Sequence, residues 1–155
     1  MWERLRRFRD LPAPARAIFL RAAALLPWVA LRLKMQGFQV TKNSLQGFAA
    51  KLQITLLDPN ENAERVTLTA RMVRAAARHG IGNPSCLEES LVLAHLLRRQ
   101  GIASQLRIGI KKNIPKFEAH AWVECDGMAL NESEALHDHY APFEEEFSSI
   151  PPVQS

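Results

Sequence analysis

Two side chains in this sequence have the chemistry to make and break an acyl bond between them: Cys86, just after a loop of Gly, Asn and Pro, and His120, 34 residues later in an alternating stretch. A thiolate attacks a carbonyl carbon, and an imidazole within hydrogen-bond reach takes the thiol proton and returns it to the leaving group. Whether the pair can act together depends on the elements that carry it.

Ser85, Cys86, Leu87 and Glu88 spell a capping box, in which the Ser85 hydroxyl accepts from an early backbone N–H while Glu88 reaches back to the cap. Residues 87–100 are apolar at helical intervals, place Arg98 and Arg99 in the last turn, and stop at Gly101. Cys86 is therefore expected at the first helical position, where unsatisfied N–H groups and about half a positive charge of the helix dipole favour thiolate over thiol. Glu88 and Glu89 oppose that effect, so an imidazolium nearby is needed to hold the thiolate. The competing explanation is a small buried residue under a helix cap, the usual role of an isolated cysteine. His120 tips the balance toward chemistry.

Residues 117–125 alternate as a strand. Phe117, Ala119, Ala121, Val123 and Cys125 share one face, small or apolar and expected against the core; Glu118, His120, Trp122 and Glu124 share the other. Asp126-Gly127 is a hairpin signal, followed by a strand over 128–132. A base histidine needs a third group to fix its tautomer, and the turn decides which neighbour is available. A strict two-residue turn pairs Trp122 with Asn131, whereas one extra loop residue pairs Trp122 with Glu132 and sets Glu132 diagonal to His120.

Other titratable groups fit structural roles. Cys125 lies on the opposite strand face from His120, and His95 lies half a turn around the helix from Cys86. His79 falls at a helix end. His137, Asp138 and His139 lack a second ligand group at metal-binding spacing, so no metal site is expected.

The remaining elements are helices first and strands second. A helix over 13–34, kinked before Pro27 and closed by Gly37, precedes a short helix over 44–52 and another over 63–79 capped by Asn62 and ended by Gly80. Leu106, Ile108 and Ile110 alternate with polar residues or Gly in a strand over 105–111. The fold class is α+β: N-terminal helices, then a Cys-headed helix packed on a small antiparallel sheet. The organisation is a basic helical region over 1–42, a core over 43–136 and an acidic, Pro-containing tail over 137–155, all within one compact domain.

Two cysteines without regular spacing argue against a disulfide framework and for the cytoplasm. Residues 1–42 carry nine Lys or Arg against two acids, a net +7, and the remainder is −3. Such asymmetry suits an acidic partner, a membrane surface or nucleic acid. The longest uncharged apolar run, residues 22–31, is far too short to span a bilayer and contains Pro27. Soluble helices with basic faces are expected, without membrane contact. Nucleic-acid binding through Arg4, Arg6, Arg7 and Arg9 is not expected.

The strings Cys86-Leu87-Glu88-Glu89-Ser90-Leu91, Arg98-Arg99-Gln100-Gly101-Ile102 and Phe117-Glu118-Ala119-His120-Ala121-Trp122-Val123-Glu124, then Asp126-Gly127, resemble the transglutaminase-like cysteine peptidases of lasso-peptide maturation. The resemblance is to B proteins whose leader-binding domain is a separate chain, and it covers the catalytic region over 63–134. It implies a transglutaminase/papain-like fold and a catalytic set of Cys86, His120 and Glu132, with Glu132 where the family usually has aspartate. It also implies a ribosomally made lasso precursor as substrate, a separate leader-recognition protein as presenter, and an asparagine synthetase-like cyclase as consumer of the product. ATP use belongs to the wider maturation system; no cofactor is expected in this chain, which has no phosphate-cradling Gly-rich loop. The same thiol and imidazole could serve acyl transfer or deamidation, and a non-catalytic peptide-binding scaffold is the remaining alternative.

Overall fold

The computed structural model describes residues 6, 8–49, 59–111, 119–131 and 140–142. Three helices, α1 (Ala13–Ala49), α2 (Pro59–His79) and α3 (Cys86–Arg99), precede the strands β1 (Gln105–Lys111), β2 (Ala119–Cys125), β3 (Met128–Ala129) and β4 (Tyr140–Pro142). The sheet order is β3-β2-β1-β4, with every described pairing antiparallel. The α+β expectation is met.

Helix α1 departs from its expected course. Pro27 lies inside it without leaving helical geometry, on the exposed side where water can satisfy the carbonyl that a missing N–H leaves open. The break comes ten residues later at Gly37 (φ 78°, ψ 179°), a conformation that a side chain would strain. The short helix expected over 44–52 is instead part of the second limb of α1, whose final described residue is Ala49. The Thr41 hydroxyl donates to the Gly37 carbonyl (2.8 Å), and Arg32 donates across the break to Ser44 Oγ (2.7 Å) while its guanidinium lies 5.0 Å from the Trp28 ring centre. Helix α2 begins at Pro59, before the expected cap at Asn62; proline suits a first turn because its missing N–H has no helical partner there.

The core joins the three helices to the sheet. Ala15, Ile18, Ala22, Leu26 and Val29 of α1 meet Val66, Met72, Val73 and Ala76 of α2 and Leu93, Leu96 and Leu97 of α3, with Val123 and Cys125 from β2. Burying each such side chain contributes about 1.5–3 kcal/mol before entropy is counted. Helix α3 ends in a Schellman motif: Ile102 N–H donates to Leu97 O (3.1 Å) and Gly101 N–H to Arg98 O (3.0 Å), with Gly101 at φ 75°. Ile102 and Leu97 are both buried, so the closure also anchors the exit toward β1.

The hairpin turns tightly. Cys125 pairs with Met128 and Glu124 with Ala129 around Asp126 (φ 50°) and Gly127 (φ 78°), the two-residue turn that matches strand twist. No extra loop residue is present, so the bulged alternative does not form. Strand β3 is shorter than expected, and Tyr140–Pro142, within the expected tail, pairs with β1 as β4.

Candidate functional site

The cap that sets Cys86 in place is built as the local residues dictate. Ser85 N–H donates to Glu88 Oε2 (2.9 Å), and Glu88 N–H donates to Ser85 Oγ (3.4 Å), which completes the box. Cys86 is the first residue of α3 and is half-buried, whereas Cys125 is buried and its Sγ donates to Ala103 O (3.4 Å). Both cysteines are free thiols.

Two contacts fix how β2 lies along α3. The Ser90 hydroxyl donates to Ala121 O (3.0 Å), and the Cys125 sulfur reaches Ala103, just past the helix end. The strand therefore runs in the same direction as the helix. Stepping back from the Ser90–Ala121 contact, Cys86 is about 6 Å away along the helix, and His120 is about 3.3 Å back along the strand. The Cys86 end of α3 and the His120 end of β2 thus lie on the same side of that contact.

The contact at Ser90 belongs to a closed polar brace. Asn131 Nδ2 donates to Ser90 Oγ (2.8 Å), and Asn131 Oδ1 accepts from Val123 N–H (2.8 Å). Leu130 N–H still donates to Val123 O (2.9 Å), but the return acceptor expected from the Leu130 carbonyl is replaced by the Asn131 amide, and the ladder stops there. Asn131 therefore holds the hairpin onto α3, and both polar atoms of its amide are engaged by Val123 and Ser90. Glu132 lies outside the described residues, as do His137, Asp138 and His139. Ser90 is completely buried, and its distance in sequence from Ala121 and Asn131 kept this brace invisible to local pattern.

A second support runs along β2 itself. The His120 ring stacks with Trp122 (centroids 6.2 Å apart, planes at 19°), and Trp122 Nε1 donates to Glu124 Oε1 (2.9 Å). Glu124 Oε2 in turn accepts from Arg107 Nε at 3.1 Å. Trp122 is only 2 % exposed, so this part of β2 is closed to solvent at this residue. Directly across from His120 on β1 stands Gly109, which presents no side chain to the imidazole from that strand. His120 Nε2 is shielded from solvent.

Glu89, one helical turn beyond Cys86, is drawn into the same site. Burial pushes its carboxyl above the ordinary carboxylate range, opposed by the charges of Arg74, Arg78 and His120. The residue expected only to oppose a thiolate therefore also lies within electrostatic range of His120. Its spacing of three from Cys86 was the available signal. His95 points elsewhere: it is buried, with Nδ1 3.0 Å from Leu45 O, and burial lowers its pKa. No group of three or more potential metal ligands occurs among the described residues.

The arrangement places a half-buried thiol on a capped helix N-terminus beside a strand whose histidine is held by ring stacking, with a carboxyl one turn away. Comparison with known proteins gives one family match: the model described as Transglutaminase-like superfamily matches residues 17–145. No curated protein and no solved structure matches.

Proposed function

The chain belongs to the transglutaminase-like superfamily, and on that premise we propose that it is a cytoplasmic cysteine peptidase that removes the leader from a ribosomally made lasso precursor. The single observation carrying this reading is the alignment of the capped N-terminus of α3, bearing Cys86, with the start of β2, bearing His120. Membership supports the coarse activity, since the superfamily includes cysteine peptidases and acyltransferases. The lasso substrate rests on the sequence resemblance around Cys86 and His120.

In the proposed cycle His120 accepts the Cys86 proton, and the thiolate attacks the scissile carbonyl. The Cys86 backbone N–H, which at a first helical position needs no acceptor within the helix, contributes to an oxyanion hole for the tetrahedral intermediate. Imidazolium then protonates the departing amine, which becomes the new N-terminus of the core peptide, and the leader remains as a thioester on Cys86. Water, deprotonated by His120, releases the leader acid and regenerates the thiol. Glu132 is assigned the orienting role by resemblance, and Glu89 supplies a nearby negative charge to the imidazolium.

Mixing the chain with a precursor peptide and its leader-recognition protein, then reading products by mass spectrometry, tests the proposal. Separated leader and core from the wild type and none from Cys86→Ala support it. Intact precursor throughout, or a leader amide formed with an added amine in place of the free acid, rejects hydrolysis.

A further inference from the structure

We propose that the first limb of α1, together with the cavity beside it, docks the chain onto the surface of an anionic phospholipid bilayer. The inner face of this limb is core: Ala15, Ile18, Ala22, Leu26 and Val29 are buried. At about 100° per residue, the diametrically opposite line runs through Ala13, Leu20, Ala24 and Leu31, with Ala17 and Met35 beside it. That line is also apolar, and it faces solvent: Leu20 and Leu31 are each 56 % exposed and Met35 73 %. Cations border it on both sides, Arg16 and Lys34 on one flank and Arg21 on the other. No acid occurs anywhere in residues 11–57. An apolar stripe between cationic flanks is the pattern of a helix that lies in the plane of a bilayer interface.

The cavity beside the stripe supplies an independent reason for phosphate-bearing lipid. It measures about 360 Å³, is floored by Ile18 and Leu96, and is lined by Arg21, Arg99 and Gln100. Ala17 belongs both to its wall and to the stripe. Gln100 is fixed by bonds from its Nε2 to Thr69 Oγ1 (2.8 Å) and Leu96 O (3.1 Å). Two guanidinium groups around an apolar floor suit a headgroup phosphate whose acyl chains continue along Leu20 and Leu31.

Charge separates this occupant from the alternatives. A second copy packed on the stripe would set Arg16, Arg21 and Lys34 against the same cations of its partner, a like-charge arrangement that opposes association. Anionic lipid meets both flanks, at about 1 kcal/mol for each Lys or Arg near the surface. The helix is long and apolar enough to cross a bilayer by length and composition, but crossing would strip its inner face from α2 and α3. Lying on the surface preserves those contacts. It also keeps Cys86, thirteen residues before Arg99 on α3, about 20 Å from the headgroup cavity. The absence of membrane contact expected from sequence gives way here, because exposure of Leu20, Leu31 and Met35 is visible only once the core side of α1 is known.

Flotation of the full chain with vesicles tests this docking. Equal parts phosphatidylcholine and phosphatidylglycerol should carry the protein at least about tenfold better than phosphatidylcholine alone, with the difference shrinking in high salt. The triple variant Leu20→Ser, Leu31→Ser, Met35→Ser, altered only at exposed positions, should melt like wild type and bind roughly a hundredfold more weakly. Arg21→Gln with Arg99→Gln should lower binding about tenfold or more. No flotation at low salt, or wild-type flotation by the triple variant, overturns the proposal. So does a dimer in sedimentation that the triple variant abolishes, which would give the stripe to a second copy.

Discussion

The two ends of α3 are held to the same fold by different physics. At the C-terminal end Leu93, Leu96 and Leu97 are buried among the apolar residues of α1 and α2, and the chain leaves through a Schellman closure. At the N-terminal end Cys86 is half-buried, Glu89 is desolvated, and the contact with β2 passes through Ser90 and Asn131. Apolar packing resists loss of volume but carries no directional demand, whereas a hydrogen-bonded brace fixes the distance and slide of one element along another. The candidate site lies at the directional end, and the apolar burial at the other.

Cys86→Ala should produce the sharpest division between the ends. Precursor cleavage should fall by about four orders of magnitude or more, while the melting temperature stays near wild type; a matching loss of stability would erase the distinction. At the other end Leu97→Ala, at a fully buried position, should cost about 2–5 kcal/mol in denaturant unfolding and leave turnover per folded molecule unchanged. Ser90→Ala lies between them. It removes the donor to Ala121 O and the acceptor of Asn131 Nδ2, with an expected cost of about 1–3 kcal/mol and a fall in kcat that exceeds the loss of folded protein. Ser90→Thr, which keeps the hydroxyl, should recover part of both.

Much of this contrast is written in local sequence. The Ser85 to Glu88 box, Gly101 and the Asp126-Gly127 turn each state their geometry within a few residues, so α3 and the β2–β3 turn emerge where the pattern puts them. The break in α1 does not, because Pro27 is a stronger breaker by type than Gly37 and only the packing of both limbs shows which yields. The brace is less legible still. Ser90 reads as one more helical residue until Ala121 and Asn131 are brought to it, and Asn131 reads as a strand residue until its amide displaces the Leu130 carbonyl from the ladder. The pairing of Tyr140–Pro142 with β1 joins residues too distant for any turn signal to report.

A smaller effect probes the apolar end through pH. Burial holds the pKa of His95 below its ordinary value, so the unfolded chain binds the proton first as pH falls. The contribution of His95 is therefore present above about pH 6.5 and is lost as pH drops toward the depressed value. Urea unfolding between pH 7 and 5 should show this decline, and His95→Gln should flatten it. Loss of the cap through Ser85→Ala should cost about 1 kcal/mol, read by thermal unfolding.

In the proposed site His120 acts on the Cys86 sulfur. The direct measurement is iodoacetamide labelling at neutral pH, followed by peptide mapping that reads Cys86 and Cys125 separately. Cys86 should be alkylated at least about tenfold faster than the buried Cys125, and His120→Ala should slow Cys86 several-fold while leaving Cys125 unchanged. An unaltered Cys86 rate in a folded His120→Ala protein would contradict the account.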